Sequence, residues 1–219
     1  EGPRRDLRLI ANVQQPSYFL VAVRADSPIT DLRQIVENQI PVKFMLADIM
    51  ADAHHLTTRY NLTEEKLKAF GGEIRGTGPK YRGDSDVVAG WASLVGAPEY
   101  SYWFEMSQKY NLRFLPLPLD LVEQWAKDGN MEVRDAPLMF RGMDKSFPTV
   151  AKTGAVLYGR TDTPDDFAYT LAKALDEQQD ILQWNHMNFS YNKNTVWKAY
   201  GVPLHPGAEK YYREKGYMK

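Results

Sequence analysis

Asp48, Asp52, His55 and Arg59 stand at i, i+4, i+7 and i+11 of one stretch. On a helix this spacing gathers two carboxylates and an imidazole on one face, a donor set suited to a divalent metal. It equally describes a solvated polar face beside the apolar one formed by Ile49, Ala53, Leu56 and Tyr60. His54 and His55 are neighbours, so a helix turns them about 100 degrees apart and away from a shared metal. A second group, Tyr81, Arg82, Trp91, Tyr100, Tyr102 and Trp103, sets one guanidinium among many rings. Arginine can clamp a carboxylate bidentately while aromatic rings wall the ligand, and the same rings serve equally as core. His205 lies in Pro203-Leu204-His205-Pro206-Gly207, a rigid turn with no evident nucleophile or carboxylate partner.

The elements that must position these groups alternate. Leu7–Val13 reads as a strand and Gln14-Gln15-Pro16-Ser17 as a turn. Tyr18 to Arg24 is a near-continuous apolar run, as in a strand covered on both faces. Thr30 is placed to cap a short helix over 31–37, and Pro41–Leu46 reads as a strand. A helix is expected over Asp48–Tyr60, ended by Asn61, with Thr63 capping the next. Its start follows a strand directly, so its free N–H groups could receive a carboxylate, unless Asp48 fills that place as a cap. Residues 71–83 read as strand plus loop, and 84–92 is ambiguous. Helices are expected over 98–110, 119–127, 164–178 and 207–216, and strands over 112–117 and 149–160. Residues 130–147 read as irregular. Strand–helix alternation predicts an α/β fold with a largely parallel sheet.

Composition narrows the function classes. The 219 residues include 27 basic and 28 acidic side chains, a net charge of -1, which argues against nucleic-acid binding through blanket charge. There is no cysteine, which excludes disulfides, thiolate metal sites and a cysteine nucleophile. The longest purely apolar stretch, Tyr18–Val23, is far short of the roughly 20 residues of a spanning helix. Glu1-Gly2-Pro3-Arg4-Arg5 is polar and does not read as a signal peptide. Nucleophile-elbow, phosphate-loop and dinucleotide-binding motifs are not found; the glycines of 71–78 lack the required spacing.

Pro203-Leu204-His205-Pro206-Gly207-Ala208-Glu209-Lys210-Tyr211-Tyr212-Arg213-Glu214-Lys215-Gly216 resembles the C-terminal signature of TAXI-type solute-binding proteins. These are extracytoplasmic receptors of tripartite ATP-independent periplasmic (TRAP) transporters. Leu7–Ala11, Leu20–Ile29 with Asp31-Leu32, and Phe147–Leu157 with Thr163–Tyr169 resemble further segments of that family in the same order. One departure matters: Ala47-Asp48-Ile49-Met50-Ala51-Asp52 stands where family members carry a Gly-Ser-Gly-Thr loop that cradles an anion.

The resemblance implies a periplasmic-binding-protein type II (Venus flytrap) architecture: two lobes with mixed, mostly parallel sheets and the ligand between them. Residues 1–28 and 147–219 would form a partial first lobe, 39–118 the second, and 119–146 a crossover or hinge. It also implies a further stretch of chain before the Leu7 strand, here absent or carried on another chain. On this reading a small organic acid or amino acid is bound without chemistry and delivered to a TRAP membrane permease outside the cytoplasm, with no cofactor. Tyr18, Asp48, Tyr81, Arg82, Trp91 and Thr149 would line the site. Arg82 would act as carboxylate clamp, the aromatics as walls and Asp48 as partner for an ammonium or hydroxyl. Two other classes stay open: a metal-dependent enzyme using Asp48, Asp52 and His55, and a protein-interaction module recognisable by an exposed apolar patch.

Overall fold

The computed structural model describes residues 4–13, 16–46, 54–78, 81, 84–93, 101–152, 155–180, 191–198 and 201–218. Contacts divide the chain into two units, 1–16 with 153–219 and 17–152.

The larger unit is built on a mixed sheet whose strands lie in the order β4 (Glu73–Arg75), β3 (Lys43–Leu46), β5 (Val87–Ser93), β2 (Ser17–Arg24), β8 (Phe147–Lys152), β7 (Glu132–Ala136). The short β6 (Leu112–Phe114) also pairs with β2, beside Ala22–Arg24. β3 runs parallel to β4 and β5, whereas β2 is antiparallel to β5, β6 and β8. The α/β class and mixed sheet agree with the sequence, but parallel pairing is confined to the β4–β3–β5 side. The central β2 runs against its neighbours on both edges, so the pairings it makes are antiparallel ones.

β2 and β5 are buried along nearly their whole length because both faces of the sheet are covered. Phe19, Val21, Val23, Phe44, Leu46, Val87, Ala89, Trp91 and Val150 join a core closed by Leu56 of α2 (His54–Tyr60), Leu67 of α3 (Glu64–Ala69) and Trp125 of α5 (Leu119–Asp128). The alternate residues Tyr18, Leu20, Ala22, Met45, Val88, Ala92 and Ala151 meet Trp103 and Met106 of α4 (Ser101–Lys109). There the rings of Trp103, Phe114 and Phe140 stack at 5.6–6.0 Å between centroids.

Local signals account for most element ends. Thr63 caps α3, accepting from the Lys66 N–H, and Asn61 ends α2 with a φ of 53°. Thr30 does not cap the first helix, which begins at Arg33 (α1, Arg33–Glu37). Instead Gln34 Oε1 accepts from the Thr30 and Asp31 N–H groups at 2.8 and 3.3 Å, so a side chain from inside the helix serves its start. β7 occupies part of a region expected to be irregular. It is an edge strand whose exposed alternate positions are Val133 and Asp135, and with Glu132, Arg134 and Asp135 in five residues it offers little apolar signal. The run expected as one strand over 149–160 ends β8 at Lys152 and resumes as β9 (Ala155–Arg160). The strands β2 and β8, expected with the first lobe, pair with each other inside this larger unit's sheet, where β8 also pairs with β7.

The smaller unit pairs β1 (Leu7–Val13) antiparallel with β9. Two helices, α6 (Asp165–Glu177) and α7 (Pro206–Glu214), pack together with β1. The segment before α7 runs alongside β1: the Leu9 N–H donates to Pro203 O at 2.8 Å and the His205 N–H to Leu9 O at 2.7 Å. His205 is buried and caps α7, with Nδ1 accepting from the Gly207 N–H at 3.3 Å and Nε2 3.1 Å from Thr163 O. Gly207 is required here, since a Cβ would stand 1.9 Å from Asp165 O. The proline–histidine–glycine signature is thus the joint that seats α7 against α6.

Candidate functional site

In the larger unit the carboxyl ends of the parallel strands β3 and β5 lie at the same edge of the sheet as Ser17 of β2 and Lys152 of β8. In open α/β sheets that end is where ligands are received. Trp91, two residues before the end of β5, is 6% exposed. Its indole meets Phe19 edge-on at 5.4 Å and stands 6.4 Å from Trp125, which in turn lies 4.5 Å from Phe19. Lys152 Nζ sits 4.1 Å from the Trp91 ring centroid. The result is an aromatic floor with an ammonium held over its outermost ring.

The other expected site residues fall differently. Tyr18 is 8% exposed and joins the opposite face of the sheet from Trp91, because it is one residue out of step with Phe19. Thr149 is buried, and its hydroxyl donates to Phe19 O at 2.5 Å, bracing β8 against β2. Tyr81 lies at the β4 edge, its ring 5.4 Å from the Arg75 guanidinium. Arg75 also bonds Glu73 and Asp84, and Lys43 bonds Asp84, so both carboxylates are held below the usual carboxylate range. The described contacts therefore bring Tyr18, Trp91 and Thr149 onto three neighbouring strands and leave Tyr81 at the sheet edge. Asp48, Asp52 and Arg82 lie outside the described residues.

His55, the third member of the expected metal set, faces α5. Its ring is 5.5 Å from Trp125 and its Nε2 is 3.9 Å from Asp128 Oδ2. It lines an open groove of about 710 Å³ between α2 and α5, together with His54, Arg59, Asp120 and Gln124. Arg59 is held there by Asp120 at 2.7 Å. Among the described residues no group of three or more His, Cys, Asp or Glu side chains is placed to hold a metal ion.

Sequence reasoning missed Lys152. Its neighbours in sequence are small or apolar, and nothing local marks it; only the pairing of β8 with β2 carries it to Trp91. The one available signal was a cation ending an otherwise apolar strand.

Residues 1–216 match the profile of the NMT1-like family. The chain belongs to the NMT1-like family. Among solved structures this NMT1-like chain is similar to XAC2383 from Xanthomonas citri bound to chloride ion, at 15% identity and a TM-score of 0.43, covering 95% of this chain and 68% of that one. It is also similar to a structure described as a periplasmic transporter, at 15% identity and a TM-score of 0.38, covering 99% of this chain and 66% of that one. A third is the second substrate-binding domain of a putative amino acid ABC transporter from Streptococcus pneumoniae, at 12% identity and a TM-score of 0.33, covering 85% and 66%. The NMT1-like chain thus spans about two thirds of the length of these structures. Among its described residues no helix is long and apolar enough to cross a membrane.

Proposed function

We propose that this NMT1-like chain is an extracytoplasmic solute receptor that binds a small organic acid or amino acid without transforming it. The observation that carries the proposal is the ammonium of Lys152 poised over Trp91 at the carboxyl end of the parallel strands. A cation above an aromatic floor gives a small anionic solute both a charge partner and an apolar wall. Whole-chain membership of the family and the resemblance of the C-terminal segment to TAXI-type receptors support the same reading. In its finer form the receptor works in the periplasm and hands its solute to a TRAP-type membrane permease. On this reading residues 1–28 and 147–219 contribute to one lobe, 39–118 to the other, and 119–146 to the crossover or hinge. Tyr18, Asp48, Tyr81, Arg82, Trp91 and Thr149 remain the proposed lining, with Lys152 added to them.

The test is native mass spectrometry of the protein purified from its own source, followed by denatured mass on the same sample. A receptor is expected to carry a small organic molecule that is shed on denaturation and raises the thermal midpoint when added back. Protein that carries no such molecule, and whose midpoint no carboxylate or amino acid shifts, would overturn the proposal.

A further inference from the structure

The sheet of the smaller unit has one edge filled and one bare. On the side of β1 away from β9, the Leu9 N–H donates to Pro203 O, Leu9 O accepts from the His205 N–H, and the Asn12 N–H donates to Val196 O. Leu9 and Asn12 therefore turn these backbone groups away from their register partners on β9, Tyr158 and Val156. In an antiparallel pair the partner of such a residue also turns its N–H and C=O outward. The outer edge of β9 thus presents the backbone groups of Val156 and Tyr158, and among the described residues no strand pairs with it there. Arg160 is next in the alternation. Its N–H donates to Thr163 Oγ1 at 2.9 Å and its O accepts from the Thr163 N–H at 3.1 Å, so a turn closes the edge at that end.

Nothing along the open stretch guards it. The end strands of the larger sheet carry charges, Glu73 and Arg75 on β4 and Glu132, Arg134 and Asp135 on β7, which protect an edge from unwanted pairing. β9 reads Ala155-Val156-Leu157-Tyr158-Gly159 before its first charge. Leu157 is 37% exposed and Tyr158 46%, and successive residues of a strand lie on opposite faces, so both faces are bare at this edge. Leu157 shares the helix-covered face: a Cβ on Gly159, two residues on, would stand 3.2 Å from Ile10 Cδ1, and Ile10 packs with Ala168 and Ala172 of α6.

We propose that β9 is a dimer edge, through which two copies of this chain pair antiparallel about a two-fold axis at Leu157. The two-fold register matches the outward groups. Val156 of each copy stands opposite Tyr158 of the other and exchanges both backbone bonds with it. Leu157 meets its own copy in the close, non-hydrogen-bonded position, where the two exposed side chains cover one another. Charge favours this arrangement over a parallel one. Parallel pairing in register would set Arg160 beside Arg160, whereas the two-fold keeps them about 20 Å apart along the strands, beyond the screening length. Two sheets of two strands, marginal alone, become one of four. The contact is short, so the dimer is weak and concentration-dependent. None of the proposed solute-lining residues takes part, and the dimer does not rest on the receptor reading.

The experiment uses the full 219-residue chain. Sedimentation from low-micromolar to near-millimolar protein should show a monomer–dimer equilibrium, with the Val156 and Tyr158 amides gaining protection from exchange as the dimer fills. Leu157→Lys brings two ammoniums face to face and should weaken the dimer by about tenfold or more, and mixing it with Leu157→Glu should restore pairing. The chain has no cysteine of its own, so a single Leu157→Cys reports the axis. Facing Cα atoms about 4.5 Å apart suit a disulfide, and oxidised glutathione should link the copies through it. Tyr158→Cys is out of step with its own copy and should not link. Thermal midpoints close to that of the parent protein confirm that the variants are folded. A parent that stays monomeric at near-millimolar concentration would overturn the proposal. Protected Val156 and Tyr158 amides in such a monomer would assign the edge to another stretch of its own chain. A dimer that Leu157→Lys leaves intact, or that Tyr158→Cys links as readily as Leu157→Cys, would overturn it as well, because its interface then lies elsewhere.

Discussion

The two units keep their cores together by different means. In the larger one, a sheet lies between two apolar layers, and the polar groups buried with it are mainly hydroxyls. In the smaller one, a carboxylate sits inside. Asp176 of α6 is 9% exposed and accepts from the Tyr211 hydroxyl at 2.6 Å, from the Tyr217 hydroxyl at 3.0 Å and from Gln179 Nε2 at 3.2 Å. Tyr212 donates to Ile10 O at 3.0 Å, tying α7 to β1. A thin sheet of two strands offers little apolar area, so the unit depends on directed bonds that fail together if one partner is lost. The thick unit depends on area, which is forgiving of detail and sensitive to volume.

The comparison can be broken most directly in the thick unit. Trp125→Ala removes the ring shared by Phe19, Trp91 and His55 and should cost about 3–5 kcal/mol. Hydrogen exchange should show lost protection in β2 and β5, with α6 and α7 unchanged. Uniform loss across both units would show that they do not unfold separately.

In the thin unit, Gly207→Ala drives a methyl into Asp165 O and should cost about 1–3 kcal/mol or more, exposing α7 first to exchange or proteolysis. Asp176→Ala leaves buried phenols without their acceptor and should cost about 1–3 kcal/mol, read as a lower denaturant midpoint for this unit.

Alkaline pH should separate the units without mutation. Burial first, and Asp176 second, push the ionisation of Tyr211 and Tyr212 well above the usual tyrosine range, and burial also raises Tyr217. A raised folded value means that the associated stability is complete below the unfolded value of about 10 and is lost as pH rises through the folded values. The smaller unit should therefore unfold first above that pH, with tyrosinate absorbance rising in step with loss of helix signal. In the larger unit Tyr60 is raised by burial too, which makes its later transition a second marker. The smallest effect is local: Thr63→Ala removes the cap of α3 and should cost about 1 kcal/mol, leaving the other unit untouched.

What could be read from the sequence follows the range of each interaction. The apolar run of β2 and the Thr63 cap are written within a few residues, and both were legible. β7 was not, because an edge strand keeps polar side chains that resemble a loop. Thr30 looked like a cap, and only the reach of Gln34 back to its N–H displaced it. At the site, Trp91 was found by type, but the sheet face it shares with Lys152 depends on the register of three strands. The residues of the C-terminal signature stood out as a family mark. Their physical task, seating α7 and reaching Asp176 across 35 positions, needed the fold.

The pairing of Ser17 with Lys152 has one more consequence. The chain comes into the larger unit at one of these residues and departs at the other, on adjacent strands about 4.7–4.9 Å apart. Topologically the larger unit is a parenthesis in the chain. A short peptide joining residue 152 back to 17 would close it into a ring at little entropic cost, and new termini could be opened at a surface loop. The sentence around the parenthesis, 1–16 and 153–219, could in the same way be rejoined into one uninterrupted polypeptide. Such an arrangement lets one half of a gene change by internal insertion while the other keeps its own ends.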